Sequence, residues 1–193
     1  MAEENQGFLA RLRERLTSPS ARWSVLSLLI LGLVIGAGSV IGTEVMVTRT
    51  GTNEFCGTAC HSMQWVYTEY KGSGHYVNRT GVQANCHDCH IPHSYPQHLW
   101  HKAKAGIKDA IGELRGVIST EEKFKERRLD LAKIVWAGFR ETDSANCRIC
   151  HAMSPEILAK QKPFAQKLHA NRAAEKQTCI DCHKGVAHTA PDE

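Results

Sequence analysis

Apolar and polar positions follow two different rules along this chain. From Val25 to Thr43 the sequence VLSLLILGLVIGAGSVIGT runs 19 positions without a charge. That is about the length a helix needs to cross the hydrocarbon layer of a bilayer. After residue 48 no such run recurs, and apolar side chains return at helical intervals between charges. Residues 97–116 set Leu99, Ala103, Ile107, Ala110, Ile111 and Leu114 on one side of a basic amphipathic helix, with Gly116 as its stop. Ser119 and Glu122 have the spacing of a capping box. The helix they would open repeats Phe124, Leu131, Val135 and Phe139 and ends near Asp143. Short helices are expected around the cysteine-rich segments, and no segment sustains the alternation of a strand. The expected fold is mainly α, one N-terminal transmembrane helix followed by a small domain with little or no sheet. The expected boundaries are an N-terminal segment over 1–24, an anchor over 25–47 and a second domain over 48–193.

Charge sets the expected orientation. Arg11, Arg13, Arg15 and Arg22 precede the apolar run, and only Glu44 and Arg49 lie between it and the first cysteine. Under the positive-inside rule the N-terminus stays in the cytoplasm and the second domain is exported. A cleaved signal peptide is the competing reading. The run is longer than a signal core and no A-x-A site follows it, so an uncleaved anchor is expected. Gly32 and Gly36 have the G-x-x-x-G spacing of a helix-pairing face, which a glycine-rich span also produces by itself.

The chemistry lies in the cysteines. All eight fall in four clusters: Cys56-Gly57-Thr58-Ala59-Cys60-His61, Cys86-His87-Asp88-Cys89-His90, Cys147-Arg148-Ile149-Cys150-His151 and Cys179-Ile180-Asp181-Cys182-His183. The pattern C-x-x-C-H attaches c-type haem. Two thiols bond to the porphyrin and the adjacent imidazole ligates the iron. Three strict copies and one near copy predict four covalent haems and a multihaem electron carrier. Disulfides or zinc are the alternatives, and neither requires a histidine after every second cysteine. The exported part is polar, and aromatics make up 7% of the chain. Its own apolar core is therefore expected to be thin, with the haems supplying the rest. Four haems bring roughly eight propionate charges, so the formal +4 does not make the loaded protein basic, and no nucleic-acid partner is inferred. Motif spacings of about 30, 60 and 30 residues suggest two haem pairs joined by a helical middle.

Eleven histidines are present. His61, His90, His151 and His183 follow a cysteine. Among the rest, His75, His169 and His188 each lie near a motif without belonging to one and are candidate distal ligands. His87, between two cysteines, is poorly placed for iron. His93, His98 and His101 flank the second motif, as distal ligands, propionate partners or neighbours of a substrate. The first motif has three residues between its cysteines, so one must bulge, and the angle of His61 to iron is in doubt. Met63 follows two residues later, and a methionine ligand would raise the potential.

These segments resemble the NapC/NirT/NrfH family of membrane-anchored tetrahaem quinol dehydrogenases. The residues that carry the resemblance are the anchor, FCGTACHSM, EYKGSGH, NCHDCHIPH, KAKAGIKD, NCRICHAM and TCIDCHKGVAH. The resemblance implies Met63, or His61, on the first haem. It implies His90 with His169 on the second, His151 with His188 on the third and His183 with His75 on the fourth. It sets Asp109 near the open side of the first haem and Lys102 or Lys104 near a quinone pocket. The departure is C-x-x-x-C-H at the first motif, where the family usually has C-x-x-C-H.

Quinol oxidation releases two electrons and two protons, while haem takes one electron and no proton. A base is needed beside the entry haem. Asp109 is the candidate, with Lys102, Lys104 and His101 as neighbours, and plain surface charge on an amphipathic helix is the competing reading. The expected partners are the inner membrane, quinone or quinol, and a periplasmic reductase of nitrate or nitrite type or another multihaem redox protein; a homo-oligomer is compatible, since some relatives dimerise. Two alternatives stand beside this reading. One is a quinone reductase fed by a periplasmic oxidation such as that of hydroxylamine. The other is a non-redox membrane scaffold with structural haem or zinc.

Overall fold

The computed structural model describes residues 25–172 and 174–192, together with 7, 8, 10, 11, 14 and 23. Most of the N-terminal segment over 1–24, including Arg13, Arg15 and Arg22, lies outside the described residues. The chain divides into two compact units, Met1–Met46 and Val47–Glu193.

Helix α1 runs over Val25–Arg49. At 1.5 Å per residue it exceeds the ~30 Å hydrocarbon layer, and Leu26–Arg49 is long and apolar enough to cross a membrane. Leu29, Leu33, Val34 and Val40 stand exposed on it.

The second unit is a string of helices, with no strand among the described residues. They are α2 (Asn53–Thr58), a 3-10 turn (His61–Met63), α3 (Gln64–Lys71), α4 (Cys86–His90), α5 (Tyr95–Leu114), α6 (Glu121–Glu141), α7 (Ala145–Cys150), α8 (Pro155–Leu158), α9 (Pro163–Asn171) and α10 (Cys179–Cys182). The expected mainly-α class is what the structure has. Helix α5 starts with a proline in its first turn, where the missing N–H costs nothing. It ends at Gly116, whose φ of 61° suits a residue without Cβ.

One expectation for this region needs correction. The cap of α6 is Thr120, whose Oγ1 accepts from the Lys123 amide at 3.4 Å. Ser119 lies one residue too early and donates to the Gly116 carbonyl instead. The apolar side of α5 is largely open, with Ala103, Ile107, Ala110, Ile111 and Leu114 all exposed.

Three large apolar side chains are buried among the described residues: Tyr70 at 5% exposure, Phe124 at 6% and Trp136 at 7%. Trp65 stacks on Phe124 at 5.4 Å, Tyr76 meets the edge of Tyr70 at 5.2 Å, and the Lys184 ammonium sits 4.5 Å from the centre of Trp136. The remaining ties between helices are largely polar. Buried Asn53 on α2 accepts from the Cys86 amide at 2.7 Å and donates to the Tyr70 hydroxyl at 3.2 Å. Asn146 on α7 donates to the Cys89 carbonyl at 2.8 Å and the Ile91 carbonyl at 2.9 Å. The fully buried Ser144 hydroxyl accepts from the Ile180 amide at 3.4 Å.

These ties join the first motif to the second, the second to the third and the third to the fourth. Sixty intervening residues do not separate two pairs, as the spacing suggested. Helices α5 and α6 leave and return, and α4 packs against α7.

Replacing Asn53 by Ala removes two bonds and leaves a buried amide without its acceptor. The expected loss is about 1–3 kcal/mol, read as a lower thermal midpoint of the haem-loaded protein.

Candidate functional site

Each strict C-x-x-C-H segment forms a short helix that ends at its histidine. At α4 the Asp88 carboxylate reaches back to the Asn85 amide at 2.6 Å. At α10 the Asp181 carboxylate takes the Thr178 amide at 2.7 Å and the Arg140 guanidinium at 2.6 Å. An aspartate at the third helical position thus closes a capping box within the motif. The third motif has Ile149 at the corresponding place in the motif, lies two residues further into its helix, and is tied by the preceding Asn146. The motifs stand close enough for their thiols to sense one another. The Cys56 thiol is lowered to about 7 by its hydrogen bond with Cys86. Burial first, then Cys147, pushes Cys89 up to about 11.

The histidines pair off across the helices. His75 and His151 have ring centres 6.1 Å apart, His90 and His188 are 6.3 Å apart, and His169 and His183 are 6.1 Å apart. Two metal–nitrogen bonds of about 2 Å, end to end between two imidazoles, place the ring centres ~6 Å apart. The donor set and spacing therefore fit an iron held between two histidines. These three non-motif histidines are the ones singled out from the sequence, and each ring lies opposite a different motif histidine from the one the resemblance implied. His90 faces His188 rather than His169, His151 faces His75 rather than His188, and His183 faces His169 rather than His75. Outer bonds orient the distal rings: His75 Nδ1 donates to the Val186 carbonyl at 3.1 Å, His188 Nδ1 to the Val66 carbonyl at 3.1 Å, and His169 Nδ1 bonds Gln161 Oε1 at 2.6 Å.

The first motif is built differently. Its extra residue is absorbed where α2 ends at Thr58 and Cys60 turns extended. Tyr67 lies flat against Gly57, where any Cβ would collide with the ring. The His61 side chain is 58% exposed. Its Nδ1 pairs with Glu113 and its Nε2 donates to the Ser119 carbonyl at 3.1 Å, so both nitrogens are taken by oxygens. Ser62 donates to the same Glu113 carboxylate.

Helix α5 brings charge to this motif. The Lys102 ammonium donates to the Val47 carbonyl at 3.5 Å, and burial lowers its pKa, with Cys56 opposing. Desolvation raises the Asp109 carboxyl, and Lys108 and His101 oppose it. The Cys60 thiol is raised by burial, then by Glu113 and Asp109. Lys102 and Asp109, seven residues apart, share a helix face, whereas Lys104 lies about half a turn round from Lys102.

The other histidines are held locally. His87 Nδ1 donates to the Gly51 carbonyl at 2.7 Å, His93 Nε2 to the Asp88 carbonyl at 3.0 Å, and His98 Nδ1 to the Pro92 carbonyl at 3.0 Å. The buried His98 Nε2 has no hydrogen-bond partner. Sequence reasoning missed Glu113, although it follows Asp109 by one helical turn. Asn146 and Ser144 also went unseen, since their roles depend on helices far away in sequence.

A family model described as the NapC/NirT cytochrome c family, N-terminal region, matches residues 18–193. This chain belongs to the NapC/NirT cytochrome c family. It is 45% identical over 184 residues to the cytochrome c-type protein TorC of Escherichia coli K12, covering 95% of this chain and 47% of TorC. It thus spans about half the length of that relative. It is 41% identical over 191 residues to the denitrification system component NirT of Stutzerimonas stutzeri, covering 98% and 92% of the two chains. It is 39% identical over 192 residues to the cytochrome c-type protein NapC of Escherichia coli K12, covering 99% and 94%. A crystal structure of the cytochrome c nitrite reductase NrfHA complex bound to the HQNO inhibitor contains a similar chain, with TM-score 0.51 and 26% identity over 86% of this chain and 99% of that one.

Membership in the NapC/NirT family implies covalent c-type haem and electron transport. The zinc and disulfide readings find no geometric support: the eight thiols are unpaired, and no three metal-type donors converge among the described residues.

Two outcomes are expected. Gly57→Ala forces Tyr67 off its seat at a cost of about 1–3 kcal/mol, and resonance spectra of the haem-loaded protein should change for the first haem alone. Asp181→Asn weakens the α10 cap and the Arg140 pair by ~1 kcal/mol near neutral pH. The folded Asp181 carboxyl is lowered to about 2, below its unfolded value of about 4. Its contribution is thus present above pH ~4 and lost as pH falls through 2, so urea midpoints of the two proteins should converge in acid.

Proposed function

We propose that this chain is a membrane-anchored tetrahaem cytochrome that oxidises quinol and feeds electrons to a periplasmic reductase of nitrate or nitrite type. The observation that carries the reading is the set of three imidazole pairs at 6.1–6.3 Å, each including the histidine of a strict C-x-x-C-H motif and all strung through motifs in mutual contact. Such an arrangement suits electron transfer from haem to haem. In this reading Met63 serves the first haem, because both nitrogens of His61 are engaged elsewhere. The N-terminus is cytoplasmic and the haem domain periplasmic.

Each ferric haem supplies one-electron acceptance. A quinol bound by the first motif would give up two electrons, one at a time, and two protons. Asp109 takes the first proton from a quinol hydroxyl, releases it to solvent and then takes the second, and its raised pKa makes it a better base than an ordinary carboxylate. Lys102, on the same face and partly desolvated, orients the oxygen that loses the proton. His101 tunes Asp109 from one side. The fourth haem, on Cys179 and Cys182, is the exit.

The reverse flow, from a periplasmic oxidation to quinone, is the second reading. The three-residue spacing seated by Gly57 and Tyr67 favours it, because it alters the haem that meets quinone. Titration of the first haem against the quinone couple separates the two: a potential above the couple supports quinol oxidation, one well below it supports quinone reduction.

Asp109→Asn should slow oxidation of a water-soluble quinol by about 10²–10⁴-fold. The wild-type rate should fall as pH drops through the raised Asp109 pKa, where the base becomes protonated. The variant should lack that acid limb in stopped-flow pH profiles.

A further inference from the structure

The segment after α10 has no helix of its own, yet it carries His188. It turns at Gly185, whose φ is 79°, and runs back across α3. Two elements grip it there. Arg128 of α6 forms a fork with Glu69 of α3, NH1 to Oε1 and NH2 to Oε2, each at 2.7 Å. The side chains are 19% and 23% exposed. The same guanidinium donates to the Thr189 carbonyl, and Glu69 Oε2 accepts from the Thr189 amide at 3.2 Å. Both backbone groups of the residue after His188 are thus held by one ion pair. One turn back on α3, the Val66 carbonyl takes His188 Nδ1–H at 3.1 Å. That leaves Nε2 as the nitrogen with a lone pair, on a ring 6.3 Å from His90. Arg128 is itself seated, with its guanidinium carbon 5.2 Å from the centre of the Phe124 ring.

We infer that Glu69 and Arg128 are positioning residues that hold His188 opposite His90 and so keep the second haem iron six-coordinate. The inference rests on the reading of His188 as a distal ligand. An imidazole on a loose segment would leave the iron often and admit exogenous ligands. A bidentate pair fixes geometry as well as charge, and outer groups that orient a ligand typically account for 10–100-fold in metal affinity. Neither side chain is one of the two imidazole donors. Their effect is on the lifetime of one axial bond.

The test uses the full-length, haem-loaded protein in detergent, with haem content matched to wild type. Three variants are compared, Glu69→Gln, Arg128→Lys and His188→Ala, and two signals are read: the high-spin fraction by electron paramagnetic resonance, and carbon monoxide affinity of the reduced protein. His188→Ala should convert one haem to high spin. Glu69→Gln and Arg128→Lys should raise carbon monoxide affinity at that same haem by about 10–100-fold, leaving the other signals in place. Glu69→Gln keeps the size of the side chain and Arg128→Lys keeps the charge, so a change in both variants points to the fork. If His188→Ala creates the high-spin haem and neither other variant alters carbon monoxide binding, the positioning role is overturned while the ligand reading stands. If His188→Ala creates none, the ligand reading falls and the positioning role falls with it.

Discussion

Two imidazoles must stand about six ångströms apart, facing each other, for a porphyrin iron to be held between them. In the proposed reading, much of this fold serves that one distance. With three large apolar side chains buried among the described residues, side-chain packing cannot fix six rings from separate parts of the chain. Individual polar ties do it instead. Asn53, Asn146 and Ser144 lock motif to motif, while Val66, Val186 and Gln161 orient the distal rings. Covalent attachment brings the flat apolar bodies that complete the interior of a c-type cytochrome. The protein contributes the frame and the axial donors.

The first motif departs from that scheme. It pairs with no second histidine; His61 is tied to Glu113 and Ser119, and α5 supplies Lys102 and Asp109 instead. In the proposed reading, an iron with Met63 on one side and a polar face on the other would be suited to meeting a substrate, and irons held between two histidines to passing electrons on. That reading would give one end of the string to exchange with a proton-carrying molecule and the remainder to conduction.

What was legible in the sequence follows from what is local. The long apolar helix, the α5 and α6 helices, and the short helices at the strict motifs each depend on spacing within a few residues. The pairing of His75, His169 and His188 depends on how far α5 and α6 carry the chain before it returns, which no spacing records. The same is true of the contact between α4 and α7, made by Asn146. Trp136 was overlooked in favour of Val135 because both fit the helical period within one residue. The cap of α6 fell on Thr120 rather than Ser119 because two adjacent hydroxyl residues satisfy the same pattern.

The pairing of His90 with His188 joins positions nearly a hundred residues apart, and the later one lies beyond the fourth motif. In the orientation proposed above, the residues after the anchor cross the membrane in sequence order, so the second attachment site would emerge long before its far imidazole. On that reading, completion of that centre would be a late event. In the interval, haem already bonded to Cys86 and Cys89 would have one side protected only by whatever transient donor the half-emerged polypeptide or its attachment machinery provides.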